Sequence, residues 1–165
     1  MAEFTGQPRG DGRRIVVVAS RFNETVTMPL AEGAVEALVK NGVLFDDIDV
    51  LWVPGAWELP VAVRRALATE RYDAAVAIGA VIRGETPHFD IVAGESARGL
   101  MEISRDFDVP VTLGLLTTDT LEQAEARAGG AHGNKGADAA LAVLEVLDLF
   151  DRVVPHDADD DEDDV

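Results

Sequence analysis

Cysteine is absent from the 165 residues, which excludes disulfides, thiolate metal sites and cysteine nucleophiles and agrees with a reducing compartment. Lysine is nearly absent as well, with Lys40 and Lys135 standing against twelve arginines. His88, His132 and His156 are the three histidines, too scattered to suggest a metal site. No apolar run approaches the roughly 20 residues that a bilayer span requires. The N-terminal stretch MAEFTGQPRGDGRR lacks the apolar centre of a signal peptide, so the expected location is the cytoplasm.

Positive charge is scarce. Fourteen basic residues face 31 acidic ones, a net charge of −17 that argues against a nucleic-acid surface or an anionic membrane as partner. Seven of the acids lie between Asp157 and Asp164, and without them the body still carries −10. A phosphate ligand would therefore need cations and N–H donors concentrated locally. Neither a Walker loop nor a GxGxxG after a strand occurs, so nucleoside triphosphates and dinucleotides are unsupported.

What is present is apolar material for one domain: 47% of the residues are hydrophobic, and the length suffices for a core. Residues 1–12 read as a flexible or partner-docked segment, 13–152 as an α/β domain, and 153–165 as an acidic, disordered tail. Ile15 to Ala19, Ile48 to Val53, Ala74 to Ile82 and Val109 to Leu116 are nearly continuous apolar runs, the pattern of parallel strands covered on both faces.

Helical spacing links Leu30, Ala34, Ala37 and Leu38, with Pro29 suited to the first turn and Gly42 to the C-terminal cap. Further helices are expected from about Glu58 to Thr69 and Phe89 to Phe107, the latter with Ala93, Ala97, Leu100 and Phe107 on one face. Thr120 caps a short helix through Arg127, and a glycine-rich connection leads to a last helix ending near Phe150. Right-handed crossovers then predict a three-layer α/β domain. Its four-stranded parallel sheet has the flavodoxin-like order 2-1-3-4, with helices on both faces.

Ligands in such sheets bind at the carboxyl ends of the strands, where RFN, PGAWE and GAVIRGETPH fall. In the last of these, a strand runs through Arg83, Thr86 and His88 into a helix opened at about Phe89. Backbone N–H groups and an imidazole suited to proton transfer at neutral pH thus meet in one place. That suggests a phosphorylated substrate and acid–base chemistry. Each signal has a plain alternative. His88 also fits as a solvated helix start, Trp57 as a core or interface aromatic, Glu58 as a partner of the helix dipole, and Phe22 as simple packing. Arg127 and Lys135 bracket the glycine-rich connection and would reach a common anion, or else mark an ordinary helix end.

Five segments together resemble the lumazine synthase family. They are SRFN at 20–23, VPGAWELP at 53–60, GAVIRGETPHFD at 79–90, PVTLGLLTTDTLEQAEAR at 110–127 and AGGAHGNKG at 128–136. The resemblance implies riboflavin biosynthesis by condensation of 5-amino-6-(D-ribitylamino)uracil with 3,4-dihydroxy-2-butanone 4-phosphate, without cofactor or metal. By matching motif, Phe22 would stack on the pyrimidine. Ala56, Trp57 and Glu58 would line the ring and ribityl pocket, and backbone groups of Ala80, Val81 and Ile82 would read the uracil edge. Glu85, Thr86, Arg127 and Lys135 would hold the phosphate substrate, and His88 would donate the proton.

Two departures stand out: Leu113 occupies a position often aromatic in the family, and Glu85 places an acid beside the phosphate site, requiring it to turn away or pair with a cation such as Arg83. The family further implies pentamers with active sites between subunits. The short connection points to the sixty-subunit shell of twelve pentamers, and riboflavin synthase is an expected partner. Competing readings are an archaeal-type riboflavin synthase and a non-catalytic lumazine- or flavin-binding shell protein. The set Thr86, His88 and Arg127 favours the synthase.

Overall fold

The computed structural model describes residues 1–153; most of the acidic tail, with His156, lies outside the described residues. Strand β1 (Ile15–Ser20) is the hub of the sheet, pairing in parallel with both β2 (Ile48–Val53) and β3 (Ala74–Ile82). β3 in turn pairs in parallel with β4 (Val111–Thr118), which gives the order 2-1-3-4. The expected sheet is thus the observed one. All carboxyl ends face the same way.

Side-chain alternation divides the core between the two faces. Ile15, Val17 and Ala19 join a cluster with α1 (Glu24–Lys40) and α5 (Lys135–Arg152). Val16 and Val18 point oppositely, toward α2 (Leu59–Leu67) and α3 (His88–Phe107). β1 and most of β3 are buried on both faces as their apolar runs require. The outer strands depart from that expectation: Val50, Leu51 and Trp52 of β2 and Leu113 of β4 are exposed. Edge position is the reason, because the helical layers of one chain do not reach over the outer strands.

Helix α1 starts at Glu24, five residues ahead of Pro29, and so places that proline inside the helix rather than in its first turn. There the ring removes the hydrogen bond to the Thr25 carbonyl, while the Pro29 carbonyl accepts a bond of 2.9 Å from the Asn134 side-chain amide. The predicted stop at Gly42 holds. Its φ of 104° lets Gly42 and Val43 donate back to Val39 and Leu38, closing the helix with paired carbonyl contacts.

Thr120 accepts from the Gln123 N–H at 3.1 Å and so caps α4 (Leu121–Ala126), as its position suggested. The glycine-rich connection after α4 has structure the sequence reading did not anticipate. β5 (Ala128–Gly130) and β6 (Gly133–Asn134) form a small antiparallel pair whose turns use positive φ at Gly129 and Gly133. Ahead of β1, the Gln7 N–H donates to Asp148 at 2.7 Å and Gly10 to the Asn41 carbonyl at 2.8 Å, laying this part of the N-terminal segment on the chain's own helices.

Candidate active site

Each of the first three strands ends in a loop that contributes to one cleft of about 640 Å³. From β1 come Phe22 and Asn23; from β2 come Ala56, Trp57 and Glu58; from β3 come Ala80, Val81 and Ile82, followed by Thr86 and His88. The sequence reading assigned all of these but Asn23 to substrate contacts, and the fold brings them together.

Local hydrogen bonds shape each wall. After β2, a single 3-10 turn (Ala56–Glu58) precedes α2. The Glu58 carboxylate accepts the Gly55 N–H at 2.9 Å, which holds the turn and leaves its other oxygen for a ligand hydroxyl. Ala56 is buried and its carbonyl accepts from the Ser96 hydroxyl of α3 at 3.0 Å, tying this turn to the helix that starts with His88. Phe22 and Trp57 keep 71% and 56% of their surface exposed, so two aromatic faces stand at the cleft without a protein partner covering them.

Helix α3 starts at His88, one residue before the expected start, with no side chain capping its first turn. The positive end of the helix dipole there favours an anion. The His88 N–H lies 3.4 Å from the Thr86 hydroxyl, so both residues belong to the same turn. Arg83 anchors this segment from outside. Its guanidinium donates to Asp119 at 2.9 Å, approaches Asp90 at 3.6 Å and lies over Phe89, another cleft residue. The hydrogen bond to Asp119 is the largest effect and pushes the Arg83 pKa above its ordinary value; desolvation opposes it, and attraction to Asp90 adds to the rise. Arg83 is thus committed to Asp119 and Asp90, and among the described residues no cation pairs with Glu85.

Four expected contributors do not line the cleft of their own chain: Leu113, Glu85, Arg127 and Lys135. Leu113 lies in β4 opposite Ala77, 54% exposed. Arg127 and Lys135 are linked to each other, since the Lys135 N–H donates to the Arg127 carbonyl at 2.9 Å. Their side chains differ in availability. Lys135 pairs with Asp138 at 2.9 Å, whereas Arg127 donates to the Gln123 carbonyl at 2.9 Å and has no carboxylate partner among the described residues.

Sequence reasoning missed Asn23, Gly55, Gly84, Phe89, Ile91 and Val92 as lining residues. Asn23 stood in a motif already singled out, and Ile91 and Val92 follow His88 on the first turn of α3; these signals were available. Among the described residues no three His, Asp or Glu side chains converge to hold a metal ion, and no helix is long and apolar enough to cross a membrane.

The cleft brings together exposed aromatic faces, strand-end backbone groups, one carboxylate, and an imidazole beside a helix N-terminus. Comparison with known proteins points the same way. A family model described as 6,7-dimethyl-8-ribityllumazine synthase matches residues 12–151. A 6,7-dimethyl-8-ribityllumazine synthase of Gemmatimonas aurantiaca is 85% identical over 155 residues, 94% of each chain. Enzymes of the same name from Lactiplantibacillus plantarum and Kosmotoga olearia are 50% and 49% identical, over 84% of this chain and 87% and 89% of theirs. The chain belongs to the 6,7-dimethyl-8-ribityllumazine synthase family.

Proposed function

We propose that the protein condenses 5-amino-6-(D-ribitylamino)uracil with 3,4-dihydroxy-2-butanone 4-phosphate to 6,7-dimethyl-8-ribityllumazine, releasing phosphate and water, as a step of riboflavin biosynthesis in the cytoplasm. The observation that carries this reading is the convergence of Phe22, Trp57, Glu58 and His88 on one cleft, in a chain 85% identical to a lumazine synthase.

The pyrimidine stacks on Phe22 beside Trp57, its polar edge meets the backbone of Ala80, Val81 and Ile82, and ribityl hydroxyls donate to Glu58. Thr86, with the backbone of Glu85, receives the phosphate at the uncapped start of α3. The Glu85 side chain turns outward, since Arg83 is already taken. His88 moves protons as the amine adds to the ketone and water leaves, as phosphate is eliminated, and as the ring closes with loss of a second water. Orientation of two bound substrates supplies much of the acceleration, so His88 assists chemistry that the cleft already favours.

The cation is missing from the single-chain cleft. Arg127, with Lys135 as the weaker contributor, and Leu113 come from a neighbouring subunit in a ring of five, and twelve rings close into a shell of sixty. Exposed Leu113, Trp52, Leu51 and Val50 on the outer strands support burial against further copies. Riboflavin synthase, which consumes the product, is the expected partner of such a shell.

Incubation with both substrates, followed by absorbance of the product, tests the activity. Lumazine formation is the expected result. Riboflavin formed from added lumazine would assign the chain to dismutation, and ligand binding without turnover of either would make it a binding shell.

A further inference from the structure

Asn23 ends the loop that carries Phe22 and stands directly before α1, but its side chain does not cap that helix. The contrast within the molecule is direct. Asn134 accepts the N–H groups of Gly136 and Ala137 at 2.9 and 3.1 Å, and Thr120 accepts that of Gln123 at 3.1 Å, each capping its own helix. The Asn23 side chain instead donates to the Ala80 carbonyl at 2.9 Å, across 57 residues of sequence. It does so from a left-handed backbone with φ of 63°, a conformation asparagine tolerates better than most residues. Helix capping has been given up for a contact at the end of β3.

That contact completes a brace under the Phe22 ring. The N–H groups of Arg21 and Phe22 donate to the Val53 and Pro54 carbonyls at 2.8 and 3.0 Å, fastening the loop to the end of β2. Asn23 fastens its other side to β3, at a carbonyl beside the backbone groups of Val81 and Ile82 in the cleft. A largely exposed aromatic ring has little packing of its own to hold its angle, so the backbone beneath it must do so.

From this geometry we infer that Asn23 is a positioning residue, one that sets the angle between Phe22 and the strand end that reads the heterocycle, and so governs affinity for the planar substrate. The inference rests on the reaction proposed above only for the identity of that substrate. Its bond also occupies one lone pair of the Ala80 carbonyl, which shifts recognition of the heterocycle toward Val81 and Ile82.

The test compares Asn23→Gly, which accepts the left-handed backbone and lacks the side-chain donor, with the unaltered full chain. Exchange of the Phe22 amide is expected to quicken about tenfold, the scale of one lost hydrogen bond, while Leu30 to Leu38 keep their protection. KM for ribitylaminouracil is expected to rise about tenfold, with kcat and KM for the butanone phosphate within about twofold. Asn23→Asp, which turns a carboxylate on the Ala80 carbonyl, should exceed both effects. Phe22 exchange unchanged in Asn23→Gly, or KM values rising equally for both substrates, would overturn the inference. Absence of turnover by the unaltered protein would instead sink the proposed reaction, while the exchange comparison would still decide the role of Asn23.

Discussion

The Arg83 guanidinium lies over the Phe89 ring, 4.2 Å from its centroid, and holds the segment between β3 and α3 from the solvent side. The same guanidinium bonds to Asp119 just after β4, so the turn bearing Thr86 and His88 is fixed to the neighbouring strand end. Planarity lets Arg83 stack and form hydrogen bonds at once, which a lysine ammonium does not reproduce. Arg83→Lys is therefore expected to lower kcat/KM about tenfold with a melting temperature within about 2 °C of the parent, because an exposed pair contributes little to global stability. Steady-state kinetics beside a thermal melt checks both halves; an unaltered kcat/KM would refute the anchoring role.

His88→Ala is expected to slow turnover by about 10²-fold or less without abolishing it, the outcome that follows from the proposed role of His88 as one acid–base group beside substrates held by orientation. Single-turnover kinetics with both substrates saturating isolates this step. Complete loss of activity would assign His88 a larger part than its place at the cleft suggests.

Arg127→Ala should raise KM for the butanone phosphate at least tenfold and leave KM for the pyrimidine nearly unchanged, since a charge-assisted bond to phosphate contributes about 1.5–3 kcal/mol. Lys135→Ala should do less, because Asp138 already engages its ammonium. Equal effects of the two substitutions on KM would contradict this ranking.

Gly136→Ala should destabilise the fold by about 3 kcal/mol. A Cβ there would fall 2.0 Å from the Leu30 carbonyl oxygen, and both helices would have to separate. Urea denaturation of the variant, compared at equal protein concentration, measures the loss; a shift below about 0.5 kcal/mol would show that α1 and α5 yield freely.

The Asp148 carboxyl is held below its ordinary pKa of 3.8, first by the Gln7 N–H and then by the Arg152 guanidinium. A depressed folded-state pKa means that the contribution is present in full above the unfolded value and fades as pH falls through the lower folded one. Docking of the segment around Gln7 should therefore loosen in acid, at and below the ordinary carboxylate range. Exchange of the Gln7 amide, extrapolated across that range, should show this dependence in the parent and lose it in Asp148→Asn.

Assembly should respond to salt. Copies carrying −17 would repel one another in the proposed shell, and a Debye length of about 30 Å at 0.01 M ionic strength shrinks to about 8 Å at 0.15 M. Light scattering across that range is expected to show smaller species at low salt and sixty subunits at high salt. A pentamer at every ionic strength would rule out the shell.

Much of this architecture was legible along the chain because it depends on short-range pattern. Continuous apolar runs marked β1 and β3, Gly42 marked the end of α1, and Thr120 the start of α4; each is a local choice that the fold preserved. Where pattern misled, a distant contact was responsible. Pro29 suits a first turn, but the helix begins at Glu24, directly after Asn23, whose side chain bonds to β3. β2 and β4 are apolar like strands covered on both faces, but at the edges, where the predicted order 2-1-3-4 puts them, their exposed residues have no cover within one chain.

By itself, the sequence determined the α/β order and the acidic body without thiols, because composition and apolar spacing are local properties, and it marked candidate site residues through five motifs that resemble the lumazine synthase family. Only the tertiary structure decided which of those residues meet. Phe22, Trp57 and His88 share a cleft because three parallel strands end side by side, Asn23 joins them through one long-range hydrogen bond, and Arg127 and Leu113 fall outside it. Strand neighbours and helix crossings are long-range relations, settled by burying the two faces of one sheet, and no local stretch of residues contains them.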